Sequence, residues 1–161
     1  MLESLEVRTA SEHETILLGA AIGLVVAPGD VIFLVGDLGA GKTRLAKGIV
    51  SAATQLPPED VVSPTFSLIN QFDGVFPVHH ADLYRLDADQ IQGIGLEDAL
   101  DDQGVLIVEW TEKIGDLCED PLTIFIAYAD ENDSRRIVLE WSPNGSWGTR
   151  LGDLAETGWK K

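Results

Sequence analysis

Val31-Ile32-Phe33-Leu34-Val35-Gly36-Asp37-Leu38-Gly39-Ala40-Gly41-Lys42-Thr43 decides the fold. Its first five residues are apolar and rich in β-branched types, the pattern of a strand buried on both faces at the centre of an α/β sheet. Gly36–Thr43 then matches G-x-x-x-x-G-K-[ST], the P-loop. The glycines let the backbone curl so that successive N–H groups face a phosphate. The helix predicted from Lys42 to about Ala53 adds its free N–H groups and positive dipole end. Lys42 reaches the β- and γ-phosphates as a mobile charge, and the Thr43 hydroxyl suits Mg²⁺. Gly36, Asp37, Leu38, Gly39, Ala40, Gly41, Lys42 and Thr43 are therefore the predicted phosphate cradle.

Upstream, Ser11 and Glu14 fit a capping box. Leu17, Leu18, Ala21, Ile22 and Val25 follow at helical spacing, and Pro28-Gly29 stops the helix. Downstream, Thr65 to Phe72 reads as a strand, and Asp73-Gly74 as a hairpin turn into a second strand, Val75–Asp82. Leu96 to Leu100 is a short helical piece. Val105-Leu106-Ile107-Val108 is another fully apolar strand and ends in Glu109-Trp110. Leu122–Tyr128 and Arg136–Trp141 form a last hairpin around Asp130–Asp133. Residues 142–161, with Gly145, Gly148, Gly152 and Gly158, read as an irregular tail behind a single domain at 1–141. The fold class is α/β: a P-loop NTPase-like mixed sheet, parallel at its centre, with antiparallel additions and covering helices.

A P-loop needs an acid for the metal, at the end of a neighbouring apolar strand. Glu109 is the best match and Asp82 the second, one to hold the metal and one to orient the attacking water. Trp110 lies at the strand edge where ligands bind in open α/β sheets. His79-His80 has no Cys or further His nearby, so ordinary packing is the better reading of it.

Composition narrows the partners. The chain has 161 residues, 11 Lys+Arg and 27 Asp+Glu, a formal net charge of −16. Between Leu86 and Ser134 fourteen acidic residues face one lysine, Lys113. Affinity for nucleic acid comes largely from basic side chains on phosphates, so direct binding of DNA, RNA or an anionic membrane is excluded. The acidic stretch is either a solvated face or a docking surface for a basic partner. Cys118 is the single cysteine, and its acidic neighbours disfavour a reactive thiolate. The first residues form no signal peptide and no apolar run can cross a bilayer, so a cytoplasmic protein is expected.

The residues resemble a family. GDLGAGKT at Gly36–Thr43, SPTF at Ser63–Phe66, HADLYR at His80–Arg85 and EW at Glu109-Trp110, behind the Ser11–Thr15 helix start, are similar to the TsaE (YjeE) family over roughly residues 5–141. The resemblance implies an ATPase of the tRNA threonylcarbamoyladenosine pathway. It would bind ATP and Mg²⁺, hydrolyse slowly alone, and associate with TsaD and TsaB. It would touch tRNA only through that complex, and hydrolysis would reset the machinery between turnovers. It implies nucleotide contacts at Thr15, Arg44, Thr65 and Trp110, with Thr65 in a loop sensing the γ-phosphate. It implies an acidic pair in Asp82 and Glu109, and leaves Tyr84 and Arg85 without a defined role. Arg44 stands where the family often has a small polar residue.

Three other functions compete. A small-molecule P-loop kinase usually needs a lid of arginines, and the six here form no such cluster. A regulatory GTPase needs N-K-x-D, and Asn70-Gln71-Phe72-Asp73 lacks the lysine. A non-catalytic module would use nucleotide only to hold its shape.

Overall fold

The computed structural model describes residues 1–64, 68–101, 103–111, 117–130 and 133–156. Seven strands form one sheet: β1 (Glu3–Thr9), β2 (Val31–Val35), β3 (Ile69–Phe72), β4 (Val78–Asp82), β5 (Val105–Glu109), β6 (Leu122–Tyr128) and β7 (Arg135–Trp141), in the order β1-β7-β6-β2-β5-β4-β3. β4, β5, β2 and β6 run parallel, while β3, β7 and β1 are antiparallel additions at the two edges. The mixed sheet with a parallel centre is the expected one.

Alternation along the strands sorts the core into two layers. Ile32, Leu34, Val78, Val105, Ile107, Leu122, Ile124 and Ile126 join one cluster with helices α1 (Glu12–Gly23) and α2 (Lys42–Thr54). Val31, Ala81, Leu106 and Val108 face the other way, onto Ile91 of α3 (Ala88–Gly93) and Leu96 and Ala99 of α4 (Leu96–Asp101). The same alternation continues to the strand ends. Counting in twos from Val78 and Val105 brings His80, Asp82 and Glu109 to the α2 side, where the P-loop lies.

Ser11 caps the helix, its hydroxyl accepting from the Glu14 N–H at 3.1 Å, but the expected box does not close: the Glu14 carboxylate accepts from the Ala10 N–H at 3.1 Å instead of from Ser11. Other readings change: the strand expected over Thr65–Phe72 is Ile69–Phe72, with residues 65–67 outside the described residues, and α3 is an addition to the expected elements. The β3–β4 turn is longer than Asp73-Gly74: Phe72 pairs with Val78, so residues 73–77 form the loop and β4 starts at Val78. β1, which was not foreseen, pairs along β7 from Glu3↔Trp141 to Thr9↔Arg135. The expected irregular tail contains a helix, α5 (Trp147–Glu156). Its glycines fall on exposed or close-packed positions, and Trp147, Leu151 and Leu154 carry the apolar stripe that buries it.

Candidate functional site

The P-loop joins β2 to α2, with Gly39 at φ +82° and Gly41 at φ +115°, values that favour glycine over every other residue. Lys42, 4% exposed, donates from Nζ to the carbonyls of Gly36 and, at 3.1 Å, Asp37. The ammonium also lies 3.8 Å from the Trp110 ring centroid. Trp110 holds φ +66°, a strained value for a bulky residue, which puts its indole over Lys42 and 4.7 Å from the Tyr84 ring. The cation is thus kept inside the cleft by two carbonyls and an aromatic face.

The acidic residues arrive on adjacent parallel strands, with Asp82 and Glu109 as register partners. Glu109 is 2% exposed. One of its oxygens, Oε1, accepts from Thr43 Oγ1 at 3.4 Å, and Oε2 accepts from His80 Nε2 at 2.7 Å. Those bonds satisfy a carboxylate that burial alone would penalise. Asp82 is half-buried and accepts the Tyr84 N–H at 3.0 Å. Burial pushes its carboxyl above the ordinary range, the Tyr84 N–H pulls it back, and Glu109 adds to the rise.

These groups line one cleft of about 290 Å³, with Glu12, Thr15, Leu38, Gly39, Gly41, Thr43, Arg44, Asp133 and Arg135. Of the expected residues, the cleft gathers Lys42, Thr43, Arg44, Asp82, Glu109, Trp110, Thr15, Leu38, Gly39 and Gly41. Thr15 is buried and its hydroxyl bonds Thr9 Oγ1 at 2.8 Å and the Ser11 carbonyl at 3.2 Å. Arg44 pairs at the rim with Glu12, at 3.5 Å. Arg85 is exposed, and Thr65 lies outside the described residues. His80, Tyr128 and Arg135 were not among the expected site residues, and Tyr84, picked out in the HADLYR motif without a role, packs its ring on Trp110. Strand alternation would have pointed to His80. Only contacts across the sheet reveal Tyr128 and Arg135.

The oxygen donors fit a hard cation. Among the described residues no three His, Cys, Asp or Glu side chains converge on one point. Mg²⁺ held beside substrate phosphates needs only one or two carboxylates, which Glu109 next to the Thr43 hydroxyl supplies. Cys118 is partly buried, and burial pushes its thiol up, which disfavours the thiolate. No described helix is long and apolar enough to cross a membrane.

A strand–P-loop–helix unit in a sheet with a parallel centre, with a buried acid beside the P-loop threonine, defines a P-loop nucleotide-binding protein. The family model for threonylcarbamoyl adenosine biosynthesis protein TsaE matches residues 9–138. The TsaE of Bacillus subtilis strain 168 is 37% identical over 142 residues, covering 86% of each chain. That of Nostoc sp. PCC 7120 is 35% identical over 138 residues, covering 83% of this chain and 84% of its own. The crystal structure of Bacillus subtilis YdiB superposes with a TM-score of 0.77 at 32% identity, over 97% of both chains. The chain belongs to the TsaE family.

Proposed function

We propose that this chain is a Mg²⁺-dependent ATPase serving tRNA threonylcarbamoyladenosine biosynthesis. It acts on a TsaD–TsaB pair and uses hydrolysis to reset that pair between turnovers. The observation that carries the reading is the approach of Thr43 Oγ1 to Glu109 Oε1 at 3.4 Å, beside Lys42. It joins a phosphate cradle to an acid on the neighbouring strand, as phosphoryl chemistry requires.

The division of labour follows from the two environments. Glu109 is held at both oxygens, one by Thr43 and one by His80. It and Thr43 would hold Mg²⁺, which when bound neutralises charge on the β- and γ-phosphates. Asp82 keeps a half-buried carboxylate whose proton affinity is raised, which suits a group that orients water and takes its proton. The water oxygen attacks the γ-phosphorus, the bond to the β–γ bridging oxygen breaks, and ADP and phosphate leave. Lys42 shifts from its carbonyls to the phosphates and stabilises the charge there. The −16 charge supports action on protein partners, with tRNA met only through their complex.

The test combines ATP turnover with multi-turnover tRNA modification in the presence of TsaD and TsaB. Lys42→Ala is expected to lose nucleotide binding. Glu109→Ala keeps much of the affinity and loses hydrolysis by about a hundredfold or more. Wild-type behaviour of both variants in both assays would falsify the reading. Phosphate transfer from ATP to a nucleoside or sugar would favour the kinase instead.

A further inference from the structure

Two side chains reach the P-loop from the hairpin across the cleft. Tyr128 ends β6, Arg135 begins β7, and the two are register partners. Alternation along both strands turns them to the α2 side, with Ile126 and Ile137. Tyr128 Oη donates to the Gly39 carbonyl at 2.6 Å, and Arg135 Nε donates to the Ala40 carbonyl at 2.6 Å. The Arg135 guanidinium lies 4.2 Å over the Tyr128 ring, and its Nη1 donates to the Ser134 carbonyl at 3.1 Å. Arg135 is one of the few buried charged residues among those described, at 8% exposure. Two neighbouring P-loop carbonyls are therefore gripped by two mutually braced donors.

The grip matters because a peptide unit is planar. Fixing the Ala40 carbonyl fixes the direction of the Gly41 N–H, one of the donors that a P-loop presents to phosphate. Fixing the Gly39 carbonyl likewise fixes the Ala40 N–H, which closes the turn by donating to the Asp37 carbonyl at 3.0 Å. The gripped stretch holds two glycines in the left-handed region, where an unrestrained loop would sample many other shapes.

We propose that Tyr128 and Arg135 are positioning residues that hold the P-loop in its phosphate-binding shape before nucleotide arrives. The proposal rests on the phosphate reading of Gly36–Thr43. A site that is competent only part of the time binds more weakly by that fraction. The clamp removes this loss, and so acts on ligands that carry a β-phosphate.

The experiment uses the full chain and ADP, with calorimetry for affinity and amide hydrogen exchange across residues 36–43 without nucleotide. Tyr128→Phe removes one exposed hydroxyl bond and is expected to weaken ADP binding about two- to fivefold. Arg135→Met keeps the stem, drops the buried donor, and is expected to weaken it about tenfold or more. Arg135→Lys restores a donor and recovers part of the loss. Exchange at Gly39–Lys42 speeds up in Tyr128→Phe and Arg135→Met, a change that loss of bulk stability alone would spread over the whole sheet. Should Arg135→Met fail to fold, Tyr128→Phe carries the test, because its ring stays in place. If wild type binds ADP and Tyr128→Phe matches it in both affinity and loop exchange, the clamp is overturned. If wild type and Lys42→Ala alike ignore ADP, the phosphate reading falls and the clamp falls with it.

Discussion

Asp82 shows what a single residue gives up for the site. Its carboxyl is raised chiefly by burial, so the folded protein binds that proton more tightly than the unfolded chain does. Stability therefore drops as pH rises from the ordinary carboxylate range through the raised value, and the loss is complete once the folded carboxyl has ionised. Asp82→Asn removes the buried charge, and its side-chain oxygen still accepts the Tyr84 N–H. The variant is expected to melt a few degrees above wild type at neutral pH and level with it in acid, while ATP hydrolysis falls by about a hundredfold or more. Thermal melts at the two pH values, with turnover measured beside them, check the sign. His80 makes the complementary case. Its Nε2 steers one Glu109 oxygen so that the other faces Thr43. Glutamine places a donor at a similar reach, so His80→Gln keeps most of the hydrolysis. His80→Leu lets Glu109 turn and loses about tenfold in turnover at unchanged ATP affinity. Equal losses in the two variants would mean that volume matters there and the hydrogen bond does not. Lys42, Thr43, Asp82 and Glu109 were legible because their spacing to apolar runs is local information. His80 hid in a dipeptide whose metal reading was the obvious one to reject.

The elements that carry the site are held by close packing between α1 and α2. A Cβ on Gly48 would meet the Ile16 carbonyl oxygen at 2.1 Å, and one on Gly19 the Leu45 carbonyl oxygen at 2.3 Å. The atoms in the way are backbone on both sides, so neither helix can yield by turning a rotamer. Gly48→Ala should therefore cost on the order of 2–4 kcal/mol despite its better helix propensity. Chemical denaturation gives the number, and a stabilised variant would contradict the packing. The α1 and α2 helices were legible from caps and periodicity. The α5 helix was not, because four glycines in twenty residues read as a tail. What orders it is tertiary. Trp147 is fully buried, its indole N–H donates to the Asp120 carbonyl at 3.2 Å, and Arg150 stacks on it at 4.0 Å. Arg150 also forks onto both Asp30 oxygens, at 2.6 and 3.0 Å. No local pattern announces a partner 120 residues away. β1 was missed for the same reason, since seven of its residues owe their strand form to β7.

At the scale of the molecule, charge and topology point in one direction. The parallel strands end at the cleft, and the acidic residues of α3 and α4 lie on the opposite sheet face from α2. Asp89, Glu97 and Asp98 are exposed there. A protein of net charge −16 repels tRNA, so the chain alone is expected to leave tRNA unretained in a gel-shift at physiological salt. The same field attracts a basic protein surface and raises the encounter rate with it. If the proposed TsaD–TsaB docking uses this face, exchanging Asp89, Glu97 and Asp98 together for lysine slows association by about tenfold or more and flattens its salt dependence. Basal ATP hydrolysis is the internal control, because none of the three lines the cleft. Stopped-flow or biosensor association at two salt concentrations reads the effect directly. Unchanged association with intact turnover would move the docking face elsewhere and return these acids to a solvated surface.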